Sequence, residues 1–248
     1  MITSAAVVPS PPLLARDLTG REVVLPELRQ ACAVAVGRLL ARPADIVVVV
    51  GAGPQTTVWE PDGRLDLSAW GPTVGSRGGP ATAGKPGLPL AVGLGVALLD
   101  EAGQVGPRLL QAIDGTATVA SCLAVGAELA SLGPRVALLV VGDGSARCTP
   151  ASPGYFDERA EAFTADVEAA LRDGDMAALA GLDATLAAEL MATGRAAWQV
   201  LAGAIGPQRR VPGDMLYADA PFGVSYLVAI LDPALAHCCP AVPEEAPT

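Results

Sequence analysis

Few residues in this chain are equipped for chemistry, and the most promising sit together in Gly142-Asp143-Gly144-Ser145-Ala146-Arg147, directly after an apolar run. A serine at a strand end invites a nucleophile reading, but such a serine needs a base within hydrogen-bond reach. The sequence lacks the Gly-x-Ser-x-Gly elbow, and its one histidine, His237, lies near the end of the chain. Ser145 therefore reads as a turn or cap residue before it reads as a nucleophile. Asp143 could serve as a general base if desolvation raised its pKa, or simply cap the turn. Arg147 could pair bidentately with a carboxylate or phosphate on a ligand, or form a surface salt bridge.

Two other motifs fail on inspection. Val47 to Gly53 begins like a dinucleotide-binding turn but continues Pro54-Gln55-Thr56, without the third glycine or a following helix. His237-Cys238-Cys239 has metal-ligating residue types, yet adjacent residues rarely wrap one ion and no spaced partner set exists for a tetrahedral site.

The elements that must position these residues alternate in type. Ile2 to Val8 reads as a buried strand ending at Pro9, Leu25 to Leu40 as a helix with Pro26 in its first turn, and Ile46 to Val50 as an interior strand. Gly51 to Pro89 reads as a long irregular segment. Helices are expected over Leu88–Asp100, Ser121–Leu132 and Glu158–Leu171, and a strand over Val136–Val141. A long Ala/Leu helix is expected from Leu186 to Ala204 with Asp183 as its N-cap, and a strand within Met215–Leu231 interrupted by Pro221 and Gly223. This order predicts one α/β domain over residues 1–236, a three-layer α/β/α sandwich around a mostly parallel or mixed sheet, with residues 237–248 as a flexible tail.

Composition narrows the partners. The 248 residues carry a formal charge of −10, which argues against nucleic acid and anionic membrane surfaces. No apolar run approaches the ~20 residues that span a bilayer, and Leu88–Leu99 is too short. Five cysteines, an odd number, and a start without a basic signal region point to free thiols in a reducing cytoplasm.

Several segments together resemble the catalytic subunit of the class III extradiol ring-cleavage dioxygenases (the LigB-like superfamily, with the Memo-like proteins). They are Val7-Val8-Pro9-Ser10-Pro11-Pro12, Val48-Val49-Val50-Gly51-Ala52-Gly53-Pro54, Val140 to Arg147, Phe156-Asp157 with the helix after it, and Asp219 to Tyr226. The resemblance covers nearly all of residues 2–231 and implies that fold. It also implies an Fe(II)-dependent oxidoreductase whose metal is held by two imidazoles and a carboxylate, with a further histidine as acid/base. At the matching positions stand Ser10, Gly53, Ala192 and Ala146, none of which can replace those groups, and a single histidine cannot supply two imidazoles.

Three readings follow. In the first, a catalytically retired or repurposed relative keeps the old cleft for a small-molecule ligand, lined by Ser10, Gly53, Asp143, Ser145, Arg147, Glu189 and Tyr226, with no cofactor. In the second, an enzyme of different mechanism uses Asp143 and Ser145 as catalytic groups, without metal or with Mg²⁺ or Mn²⁺ on Asp143 and Glu189. In the third, the chain is a structural subunit or homo-oligomer associating through the small side chains of Ala187–Ala204.

Overall fold

The computed structural model describes residues 1–20, 22–67 and 87–235. In chain order it forms β1 (Ile2–Val8), a 3-10 turn (Pro12–Leu14), α1 (Arg16–Thr19), α2 (Pro26–Leu40), β2 (Ile46–Gly53) and β3 (Thr57–Trp59). There follow α3 (Leu90–Glu101), β4 (Arg108–Asp114), α4 (Val119–Ala130), β5 (Val136–Val141) and α5 (Arg159–Arg172). The chain closes with α6 (Met176–Ala180), α7 (Ala184–Glu189), α8 (Arg195–Ile205), β6 (Gly213–Asp219) and β7 (Tyr226–Leu231).

Seven strands make one sheet in the order β3-β4-β2-β5-β1-β7-β6. Its centre, β4-β2-β5-β1, is parallel, while β3 pairs antiparallel with β4, β7 with β1 and β6 with β7. Strand alternation sends Val48, Val50, Leu138 and Val140 to one face and Val47, Val49, Ala137 and Leu139 to the other. The first face is covered by α4 to α8 and the second by α2, α3 and the 3-10 turn. Both faces of the central strands are thus dry, which is why these strands read as unbroken β-branched runs.

The structure departs from the sequence reading at four elements. Arg108–Asp114 forms an internal strand although Gln111 interrupts its apolar pattern; the Gln111 amide is buried and donates to the Thr57 carbonyl at 3.2 Å and the Ala112 carbonyl at 2.7 Å. Thr57–Trp59, within the expected irregular segment, pairs with β4 as an edge strand. The expected continuous helix from Leu186 to Ala204 is two helices, α7 and α8, parted at Leu190–Gly194. Asp183 does cap the first, accepting from the amides of Thr185 and Leu186. The strand within Met215–Leu231 is a hairpin whose turn holds Pro221 and Gly223.

The α7–α8 break has a steric cause. A Cβ on Gly142, at the end of β5, would lie 2.4 Å from the Gly194 Cα, so the chain arrives at α8 pressed against the sheet. From there every residue of α8, Arg195–Ile205, is buried. It crosses α4 at backbone contact, since a Cβ on Gly126 would meet the Val200 carbonyl at 2.1 Å and one on Gly203 the Leu123 carbonyl at 2.3 Å. The small side chains of this helix therefore serve an interior contact within the chain. No helix among the described residues is long and apolar enough to cross a membrane. The terminal segment from residue 236, with His237, Cys238 and Cys239, lies outside the described residues, as do residues 68–86.

Replacing Gly126 by Ala should force α4 from α8 and destabilise the fold by at least about 1–3 kcal/mol, the usual cost of overpacking. Equilibrium urea unfolding checks this, and an unchanged midpoint would mean the helices are not in backbone contact.

Candidate functional site

The C-terminal ends of the parallel strands converge where an open α/β sheet usually binds its ligand. Ser10 follows β1 and Asp143 follows β5, and because these strands are paired neighbours the two residues meet. The Ser10 amide donates to Asp143 Oδ1 at 2.6 Å, and its hydroxyl donates to Oδ2 at 2.9 Å. The Asp143 backbone is fixed as well: its amide donates to Thr193 Oγ1 at 3.3 Å, and its carbonyl accepts from the Gly194 amide at 2.8 Å.

Electrostatically the site is unusual for an acid. Burial pushes the Asp143 carboxyl up to about 6, against the downward pull of the two Ser10 hydrogen bonds. Tyr226, buried at the start of β7, is pushed up to about 12, by burial first and then by the negative charge of Asp143. Asp143 is thus joined to Ser10 by hydrogen bonds and acts on Tyr226 through its charge.

The remaining candidates divide. Ser145 is fully buried; its hydroxyl donates to the Leu190 carbonyl at 3.0 Å and accepts from the Arg147 amide at 3.1 Å. Those bonds make it a brace between the β5 loop and the α7–α8 corner. Gly53 ends β2, where an added Cβ would lie 2.8 Å from Ala112 Cβ and 3.3 Å from the Pro89 ring, so no larger side chain fits without displacement. Arg147 turns toward Asp157 at 3.9 Å and leans on the Gly154 loop. Glu189 is half-exposed and ion-paired with Arg159 at 2.7 Å, while Arg159 also grips Asp157 at 2.8 Å. Asp143 and Glu189 are thus held by different partners.

This donor set does not fit the iron site that the resemblance implies. Ser10 Oγ is engaged by Asp143, Gly53 has no room for an imidazole, and Ala146 and Ala192 are buried methyl groups. Among the described residues no three His, Cys, Asp or Glu side chains gather closely enough to hold a metal ion. Cys32 and Cys122 are buried free thiols and Cys148 is half-buried and free.

Sequence reasoning passed over Thr193, Gly194 and Arg195. Arg195 is buried at the start of α8 and donates to the carbonyls of Gly115 at 2.5 Å and Ala117 at 2.7 Å and to Gln199 Oε1 at 2.9 Å. It ties the β4 end to the corner that holds Asp143. The signal was there in Thr-Gly-Arg ahead of an apolar helical run, since a cation in a first helical turn opposes the helix dipole and needs another reason to be there.

Two surface depressions lie elsewhere. One of about 470 Å³ runs between α5, α6 and α7, past Phe163, Asp166, Asp173 and Leu186. The other, about 580 Å³, lies between α2 and β6, past Glu27, Val34 and Leu216. Neither is lined by Ser10, Asp143 or Tyr226.

Comparison with known proteins gives a fold and no family. No family model matches the chain, and no curated protein matches it. Among solved structures it is similar to the uncharacterized protein JW3007 from Escherichia coli K12, with a TM-score of 0.50 and 16% identity, over 92% of this chain and 99% of that one. That likeness shows the fold alone.

The raised pKa of Asp143 makes stability depend on pH in a defined sense. The folded chain holds this proton more tightly than the unfolded chain, whose aspartate titrates near ~3.9. Its contribution is therefore fully present below that value and is lost as pH rises through about 6. Across pH 4 to 8 the unfolding free energy of wild type should fall by about 1–2 kcal/mol relative to Asp143→Asn, allowing for solvent screening. Urea titrations at both ends of the range check this; a pH-independent difference between the two proteins would contradict it.

Proposed function

We propose that this chain is a metal-independent relative of the class III extradiol dioxygenases that binds a small polar ligand at the strand ends through Asp143, Ser10 and Tyr226. The observation that carries this reading is the Ser10–Asp143 pairing. A residue that matches a metal-ligand position of that family is instead a hydrogen-bond donor to a carboxyl on the next strand. The bonds of the Asp143 main chain with Thr193 and Gly194 fix the backbone that carries that carboxyl, so little ordering remains to be done when a ligand arrives.

The chemistry open to the site follows from its protonation. Near pH 6 the carboxyl exists in both forms, so it can accept a hydrogen bond from a ligand hydroxyl or amine, or donate one to a carbonyl. The same property favours a second reading, in which Asp143 moves a proton on the bound ligand as a general acid or base, with no metal. Ser145 takes no part in either, since its hydroxyl is committed to the Leu190 carbonyl.

Ligand-observed NMR against a library of small hydroxylated and carbonyl compounds tests the binding reading. Hits on wild type should weaken about tenfold or more on Asp143→Asn, the scale of losing a charge-assisted hydrogen bond. Hits that bind the variant equally well would remove Asp143 from the site. Turnover of a hit by wild type and not by the variant would favour the proton-transfer reading over binding alone.

A further inference from the structure

The chain is poor in aromatic residues, with three Trp, three Tyr and three Phe. Among the described residues the exposed aromatics are Tyr155 (81% accessible), Phe156 (55%) and Phe222 (47%), and all belong to one cluster of loops. Gly154 packs against the sulfur of Met191, itself 46% accessible, and Gly223 packs against Ser152 and Thr149. The β5–α5 loop, the α7–α8 corner and the β6–β7 turn are thus joined. These three joined loops beside the strand ends carry four large exposed apolar side chains, a concentration that marks an interaction surface.

Two of these residues are held there against backbone preference. Tyr155 has φ 61° and Met191 φ 54°, in the left-handed region that non-glycine residues seldom adopt. The Tyr155 amide still donates to the Ser152 carbonyl at 3.1 Å and the Met191 amide to the Ala188 carbonyl at 3.1 Å. Strain of this kind persists only where the surrounding structure over-determines it, and it clusters at functional regions.

The charges around the patch indicate what covers it. Arg147, its side chain 32% accessible, has a buried Nε without a hydrogen-bond partner, and its nearest carboxylate is Asp157 at 3.9 Å. Asp157 is already taken by Arg159 at 2.8 Å. Glu158, next in the chain and exposed, has no ion pair among the described residues. The patch therefore carries an under-paired cation and an unpaired anion on one loop, in a protein whose net charge of −10 would otherwise keep copies apart. A two-fold interface is self-complementary, so a residue that contacts its opposite number's neighbour is contacted by it in return.

We infer that this face is a homodimer interface, with Tyr155, Phe156, Met191 and Phe222 of two copies packed across a two-fold axis. Arg147 of each copy faces Glu158 of the other. Aromatic side chains form the desolvated centre and the ion pairs its rim, the usual anatomy of such an interface.

Sedimentation velocity across a wide range of protein concentration tests this. Wild type should sediment as a dimer. Phe156→Glu and Phe222→Glu should each weaken association about tenfold or more, as expected for central aromatic residues. Arg147→Glu and Glu158→Arg should each weaken it, and the double swap should restore it, while circular dichroism shows every variant folded. A wild type that is monomeric at all concentrations overturns the inference. So does a dimer indifferent to the aromatic variants, or a double swap that fails to restore association.

Discussion

The contact between the backbones of Gly142 and Gly194 governs the architecture of the strand ends. A Cβ on Gly142 would lie 2.4 Å from the Gly194 Cα, and a Cβ on Gly194 would strike the Trp198 ring at 2.4 Å. Because the chain must come this close, α7 stops at Glu189 and the corner at Leu190–Gly194 folds over the end of β5. Asp143 then takes its backbone partners from Thr193 and Gly194 rather than from water. With its main chain fixed, the carboxyl is held on Ser10 in surroundings dry enough to raise its pKa.

The same closeness accounts for what the site can and cannot hold. A site that would hold iron through two imidazoles and a carboxylate needs room for those rings as well as the residues to supply them. Here the β2 end is filled by Ala112 and Pro89 against Gly53, and the β5 loop is braced by Ser145. Arg195 secures the opposite side by gathering carbonyls from the β4 end. What remains is a protonatable carboxyl, a hydroxyl and a phenol, a set suited to hydrogen bonding and proton exchange.

Much of the fold is legible in the sequence because the central strands are dry on both faces. The β-branched runs at Ile2–Val8, Ile46–Val50 and Val136–Val141 leave little alternative. β4 is hidden because Gln111 breaks its apolar run, a polar residue whose partners belong to its own backbone and to β3. The helix break at Leu190–Gly194 is marked in the sequence only by Thr193-Gly194-Arg195 between two apolar stretches, and the tertiary contact that ends the helix there is not a local pattern. Asp143 and Ser10 are legible as strand-end residues, yet their pairing depends on β1 and β5 being neighbours, which no local pattern encodes. Glu189 stands on the expected stretch of chain, but Arg159 holds it, and one residue's position on a helix does not reveal that competition.

The proposed reading has Asp143, Ser10 and Tyr226 bind their ligand with no metal. Elemental analysis of protein purified without chelator, repeated after anaerobic loading with Fe(II), tests it most directly. Neither sample should contain stoichiometric metal. Stoichiometric iron accompanied by catechol cleavage would contradict it.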